Sequence, residues 1–336
     1  MELSNMVVHL LETLERPAFV ACDGKIVHVN QFAQNHHIHR DMELSELLKS
    51  QMPQYEAFAG GQLELTLTID ELVYPVSVQK LDGLDLFLME KAEQSAPLQA
   101  LALASQKLRI PLANLMSVID ESNPSANRAL YQLHRIVSNM SDAQRYRINR
   151  KPKLQLVDVT AFVDSIMESV IAREDSLNAK FQYTGLSTSL FCMIDEEMLE
   201  RALLNMISNS VKAGSNQIQV SLSRKDNFLR LSVKDNGSSD RSIINNKLFC
   251  HYEREPGIED HDTGIGLGML IIQAAASAHN GAVFVEKQEK GLSITMNIAI
   301  TTGGTSVRSP GLKIDYLGGR DHVLTELSDC LQLSEY

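Results

Sequence analysis

Three short stretches in the second half of the chain combine residue types suited to holding a polyphosphate. They are Asn205-x-x-x-Asn209-x-x-Lys212, Asp235-Asn236-Gly237 and Gly264-Ile265-Gly266-Leu267-Gly268. On a helix, Asn205 and Asn209 stand at i and i+4, so both carboxamides project from one face. Carboxamide oxygens are hard ligands, suited to a magnesium ion already held by phosphates. Lys212 adds a point charge on the same side. Asp235 ends an apolar run and can accept a hydrogen bond from an exocyclic amine such as that of adenine. Gly264, Gly266 and Gly268 let backbone approach a polyphosphate, and a helix starting at Leu267 would present its N-terminus to the anion. Each stretch alone is a common surface pattern, and the specificity lies in their order and spacing. The chain has no G-x-x-x-x-G-K-[ST] loop.

These stretches need a helix, a strand and a second helix in sequence, and the patterning supplies them. Asp195–Ala213 repeats apolar residues at Met198, Leu199, Ala202, Leu203, Met206 and Ile207, the spacing of a helix face. Strands are expected over 218–223 and 228–233, a helix over 267–279, and strands over 282–286 and 292–299. A sheet with helices on one face is the expected layer plan. Upstream, Leu98, Leu101, Ser105, Leu108, Leu112, Leu115 and Ile119 form a heptad seam. After a break at Ser122-Asn123-Pro124-Ser125, Leu130, Leu133, Val137 and Met140 continue at the same spacing. Such a helical hairpin buries its seam by pairing with a second copy, which predicts a homodimer with a four-helix bundle, the alternative being an intrachain linker hairpin packed on a neighbouring domain. Residues 1–93 open with an amphipathic helix and then read as antiparallel strands, with a hairpin about Asp23-Gly24. Residues 302–336 begin as a Gly/Ser-rich linker. They then offer a possible strand at 313–317 and an amphipathic helix over 321–333.

Composition narrows the function. With 31 Lys and Arg against 42 Asp and Glu, the 336-residue chain has a net charge of −11. That disfavours nucleic-acid binding and docking on anionic membranes. No apolar run approaches the roughly 20 residues of a membrane span. The N-terminus has no basic start, and the four cysteines have no paired spacing. A cytoplasmic protein with reduced thiols is expected. His36, His37 and His39 lie close enough to suggest metal binding, but without neighbouring Cys or Asp a polar loop is the better reading.

The ordered boxes resemble those of the gyrase/histidine-kinase (GHKL) ATPase superfamily, in particular the catalytic domain of bacterial sensor histidine kinases. Glu200–Lys212 resembles the asparagine box, Val233–Gly237 the first glycine box, and Thr263–Met269 the second. Leu248–Tyr252 resembles the phenylalanine box of the ATP lid, and His279-Asn280-Gly281 matches the start of the closing strands. Ser239 stands where the first glycine box normally has a second glycine. The resemblance implies ATP bound by Asn205, Asn209, Lys212, Asp235, Gly237, Gly264, Gly266, Leu267 and Gly268, with Mg2+ served by Asn209 and Asn205.

Ser105-Gln106-Lys107-Leu108-Arg109-Ile110-Pro111-Leu112 resembles the family's phosphoacceptor box, with two departures. Gln106 stands at the histidine position and Lys107 at the acid position. A carboxamide nitrogen lacks the nucleophilic lone pair of imidazole, and an ammonium cannot orient or deprotonate a neighbour. Glu15–Val20 and Asp23–Gln31 resemble a PAS sensory domain.

The expected fold class is therefore α+β and multidomain. A PAS-like α/β domain (1–93) is followed by an antiparallel helical hairpin (94–150) forming a dimeric four-helix bundle. A GHKL-type α/β sandwich ATPase domain (151–301) and a C-terminal tail (302–336) complete it. The expected function is a sensor-histidine-kinase-like signalling protein that binds ATP and Mg2+ but does not autophosphorylate at the usual site. A response regulator or another kinase is the expected partner. The alternative is an active kinase using another acceptor, such as His134, or a partner protein as substrate.

Overall fold

The computed structural model describes residues 5–14, 16–58, 61–69, 72–81, 83–89, 104–105, 107–108, 110–112, 114–115, 123–147, 152–238, 267–302 and 321–336. In the N-terminal part, helix α1 (Asn5–Thr13) precedes β1 (Ala18–Cys22) and β2 (Lys25–Val29). Asp23 and Gly24 both take positive φ, as a tight two-residue hairpin turn requires. Three short helices follow, α2 (Gln31–Gln34), α3 (Leu44–Leu48) and α4 (Met52–Glu56), which the sequence reading did not place. Then come β3 (Gln62–Ile69), β4 (Leu72–Leu81) and β5 (Leu84–Met89). The alternating Leu63, Leu65 and Leu67 are buried, in one cluster with Phe19, Tyr55 and Phe87. His36 packs edge-on against Tyr74, while His37 and His39 are exposed.

Helix α5 (Pro124–Arg147) spans the residues expected to form the second arm of a helical hairpin. Proline suits its first turn, and the Asn123 side chain accepts from the Ala126 N–H at 3.1 Å. The described residues among 104–115 are helical. Leu112 packs with Leu130 and Val137, as the seam requires. Ser105 is buried, but the seam residues Leu108, Leu115 and Leu133 are exposed on the single chain.

The C-terminal half holds β6 (Gln155–Asp158), α6 (Val159–Ile171), α7 (Glu174–Leu177), β7 (Lys180–Thr184) and β8 (Phe191–Ile194). After them run α8 (Glu196–Lys212), β9 (Gln217–Lys225), β10 (Phe228–Asp235), α9 (Gly268–Ala278), β11 (Ala282–Lys287) and β12 (Leu292–Ala299). Strands β6 and β8 pair with each other. All other strands join one ten-stranded sheet in the order β2-β1-β5-β4-β3-β11-β12-β10-β9-β7. Only β7 and β9 run parallel. The two halves meet where β3 pairs antiparallel with β11, with Leu63 opposite Phe284 and Gln62 opposite Val285. Around that seam Gln54 donates to the Asn280 carbonyl at 2.9 Å. The hydroxyls of Thr66 and Ser277 lie 3.0 Å apart. Helices α6, α8 and α9 contribute to the main core with the inward faces of β9–β12.

The tail departs from expectation. Instead of one helix over 321–333 it forms α10 (His322–Glu326), turns, and a 3-10 turn at Leu333–Glu335. The Gln332 N–H, which would continue a helix by donating to the Ser328 carbonyl, donates to the Ser176 hydroxyl at 2.9 Å. The Ser328 carbonyl is taken by Arg128 and Gln132 of α5 at 3.3 and 3.4 Å. Val323, Leu327 and Leu331 still reach one surface, and all three join the main core. The possible strand at 313–317 lies outside the described residues.

Candidate functional site

Helix α8 carries most of the candidate residues. Its N-cap is Asp195, whose carboxylate accepts from the Met198 N–H at 3.2 Å. Glu196 and Glu197 lie in the first turn and Lys212 in the last, both favourable to the helix dipole. The Asp195 N–H donates to His279 Nε2 at 2.9 Å. His279 Nδ1 lies 2.6 Å from the Ala275 carbonyl, so the ring is held as the Nδ1–H tautomer. Burial keeps the imidazole neutral by lowering its pKa, outweighing the Ala275 hydrogen bond and the Asp195 charge, which raise it. The histidine thus ties the end of α9 to the start of α8.

Asp235 ends β10 and is buried. Its Oδ1 accepts from the N–H groups of Gly237 and Leu292 at 2.9 and 3.3 Å, and its Oδ2 from the Ser210 hydroxyl at 3.0 Å. An ionised carboxylate has about four acceptor positions, so three donors leave one. Gly291 sits against this residue at φ +81, where a Cβ would lie 2.1 Å from the Asp235 carbonyl oxygen. The neighbouring Asn236 accepts from the N–H groups of Asn216 and Gln217 at 3.1 and 3.2 Å.

The start of α9 faces the α8 amides. A Cβ on Gly268 would lie 3.2 Å from Asn205 Oδ1 and 3.5 Å from Asn209 Oδ1. Asn209 is half-buried and donates to the Met269 sulfur at 3.5 Å. Leu267 is buried with Leu270 and Met140 of α5, so α5 lies against this end of α9. The structure therefore brings Asn205, Asn209, Lys212, Asp235, Gly237, Leu267 and Gly268 into one region. Gly264, Gly266, Ser239, the 248–252 stretch and Gln106 lie outside the described residues. Lys107 is exposed.

A second set of residues, missed by the sequence reading, crowds the same helix face. Arg201 is buried and donates through Nε to Glu326 at 2.9 Å and through an η nitrogen to Asn139 Oδ1 at 2.6 Å. Asn205 Nδ2 donates to the Arg201 carbonyl at 2.8 Å and to Glu326 at 3.3 Å. Arg135, reaching from α5, donates to Ser208 Oγ at 3.1 Å and to Asn205 Oδ1 at 3.4 Å. Asp329 Oδ2 stands 2.6 Å from both Arg135 and Lys212 Nζ. Burial works to raise the Asp329 pKa, but the Arg135 and Lys212 charges outweigh it and hold the carboxyl below its usual range. Asn205, expected to face a ligand, is thus engaged by protein groups on both of its amide atoms. The only local signal was Arg201, a cation one turn before Asn205 on an otherwise buried face.

Residues 194–307 match the family described as histidine kinase-, DNA gyrase B-, and HSP90-like ATPase. The chain is 24% identical over 227 residues to the adaptive-response sensory kinase SasA of Synechococcus sp. (strain CC9902), covering 65% of this chain and 57% of that protein. It is 28% identical over 156 residues to the sensor-like histidine kinase SenX3 of Mycolicibacterium smegmatis, covering 44% of this chain and 40% of that one. The solved structure of full-length ShkA in complex with AMPPNP aligns at a TM-score of 0.47 and 21% identity, over 68% of this chain and 54% of the other. The chain spans little more than half the length of SasA and less of SenX3.

Proposed function

We propose that the protein binds ATP with magnesium between α8, α9 and the end of β10. We further propose that it acts as a sensor-histidine-kinase-like signalling protein without autophosphorylation at the usual position. The observation that carries this reading is the convergence of Asn209, Gly268 and Asp235 from three separate elements. Asp235 keeps one acceptor position for an exocyclic amine. Gly268 lies close beside the α8 amides, where a Cβ would press on Asn205 Oδ1 at 3.2 Å. Asn209 and Lys212 would hold the magnesium–phosphate end, with Asn205 joining them once freed from Glu326. Magnesium there would neutralise phosphate charge.

The absence of autophosphorylation rests on Gln106 and Lys107 at the acceptor and acid positions. The neighbouring hydroxyl of Ser105 is a poor substitute because the residue is buried. His134 is half-buried, with Nδ1 shielded from solvent. The exposed Leu108, Leu115 and Leu133 support a homodimer, since a second hairpin would cover them. No helix among the described residues is long and apolar enough to cross a membrane. Signalling would then pass through shape, to a response regulator or another kinase, with the PAS-like half as the sensor.

The test incubates the purified chain with magnesium and γ-labelled ATP beside an equilibrium binding assay. The expected result is ATP binding that Asn209→Ala abolishes, no label on the natural chain, and label on a Gln106→His/Lys107→Glu variant. Label on the natural chain would instead establish an active kinase with another acceptor.

A further inference from the structure

The C-terminal tail meets the rest of the molecule through two chemically different faces. Toward the ATPase core it presents Val323, Leu327 and Leu331, each at most 4% exposed. Toward helix α5 it presents polar groups. Asp329 pairs with Arg135, the Ser328 carbonyl accepts from Arg128 and Gln132, and the Tyr336 ring lies 5.3 Å from that of Tyr131. The tail is therefore fixed to the C-terminal half by apolar burial and by ion pairs such as Arg201–Glu326 and Arg173–Asp321, and joined to α5 by hydrogen bonds, charge and one ring contact. Of the two joints, the one to α5 opens more readily in water, because it lacks the buried Val323, Leu327 and Leu331 and its polar groups regain hydration.

Asp329 is the pivot of that joint. One carboxylate oxygen serves both Arg135 of the hairpin and Lys212 of the ATP site. Glu326 completes the arrangement, pairing with Arg201, lying 3.6 Å from Arg135 Nε, and holding the Asn205 amide. Three cations thus meet two carboxylates at the end of α8 assigned to phosphate. A triphosphate brought to Lys212 is a competing and more highly charged anion. It cannot share the lysine with Asp329 without placing like charges side by side.

We propose that Asp329 is an internal stand-in for phosphate that latches the hairpin helix onto the ATPase domain. Nucleotide phosphate displaces it from Lys212 and Arg135, and so releases α5 from the tail. Occupancy of the ATP site is thereby read out as freedom of the hairpin, and the coupling is reciprocal: a hairpin held to the tail weakens ATP binding. This rests on the ATP-binding reading above, which it deepens by naming what regulates the site.

The full chain contains no tryptophan, so Tyr336→Trp introduces a single indole against Tyr131. The experiment titrates ATP with magnesium into the natural chain, Asp329→Asn and Tyr336→Trp. Calorimetry gives affinity, and indole emission reports the joint. The expected result is about tenfold tighter ATP binding by Asp329→Asn, the scale of one charge-assisted hydrogen bond. Indole emission should shift to longer wavelength as ATP binds. Unchanged affinity in Asp329→Asn together with an unmoved indole signal on saturation would overturn the latch and leave ATP binding intact. No ATP binding by either the natural chain or Asp329→Asn would overturn the ATP site itself, and the latch with it. The indole measurement stands even if Asp329→Asn folds poorly.

Discussion

Among the described residues, two of the joints that hold the C-terminal half to the rest of the chain are built from different materials. Along the β3–β11 seam the contact is backbone pairing, reinforced by the neutral Gln54 and Thr66. At α8 the tail and α5 are held, beside their apolar contacts, by side-chain charge, with Arg135, Arg201 and Lys212 facing Glu326 and Asp329. A ladder of backbone bonds holds one register and offers no part that a small anion can replace. A set of ion pairs keeps its geometry only while no better-charged competitor arrives. The contrast separates a permanent joint from an exchangeable one.

The largest effect is expected where the charged joint is deepest. Arg201 and Glu326 are both about 1% exposed. Arg201→Met should destabilise the fold by about 3–5 kcal/mol, because it strands a buried carboxylate. Arg201→Met with Glu326→Leu should recover most of that loss, as urea denaturation would show. Failure of the double variant to recover would mean that Glu326 is held mainly by Asn205 and Arg135. Next comes the neutral joint. Phe284 in β11 lies between β12 and β3, so Phe284→Pro removes a ladder position and should destabilise the fold clearly in urea denaturation. The loss should persist at high salt, unlike that of a charged contact.

pH separates the joints further. His279 directly precedes Asn280, the acceptor for Gln54. Its pKa is lowered in the fold, so its contribution is whole above the ordinary value of 6.5. It is lost as pH falls from there through the folded value, with a slope of up to about 1.4 kcal/mol per pH unit for one proton. His279→Gln should flatten that slope. Asp329 is also lowered, but from 3.8, so its contribution holds down to that range and fails only below it. Between those two values stability should fall while the indole signal of Tyr336→Trp stays put. The smallest expected effect is Gln54→Ala, about 1 kcal/mol for one neutral hydrogen bond.

How much of this was legible in the sequence follows from range. The α8 face was readable because residues 205, 209 and 212 repeat at the helix period and sit among apolar residues with the same period. Asp235 was readable as the end of an alternating strand. Of the tail's apolar residues Val323, Leu324, Leu327 and Leu331, the first and last two are buried and Leu324 partly so, although the expected helix was too long, because successive turns keep them on one side. Arg135 and Asp329 are 194 positions apart, and nothing local to either marks the other. The β3–β11 pairing was equally hidden, since alternation in Gln62–Ile69 marks a strand but not its neighbour. The four-residue strands β6 and β8 are too short for a period to show.

The ten-stranded sheet has a further consequence, for cutting the chain. Because β3 covers one side of β11, the only outer strands of that sheet among the described residues are β2 and β7. A fragment beginning at residue 152 would leave the β11 backbone groups beside Val283, Phe284 and Val285 without their neighbour. A bare row of that kind invites the nearest strand of any other molecule. Such a fragment should self-associate as its concentration rises, visible by sedimentation, so the N-terminal module also acts as the solubility partner of the half it adjoins.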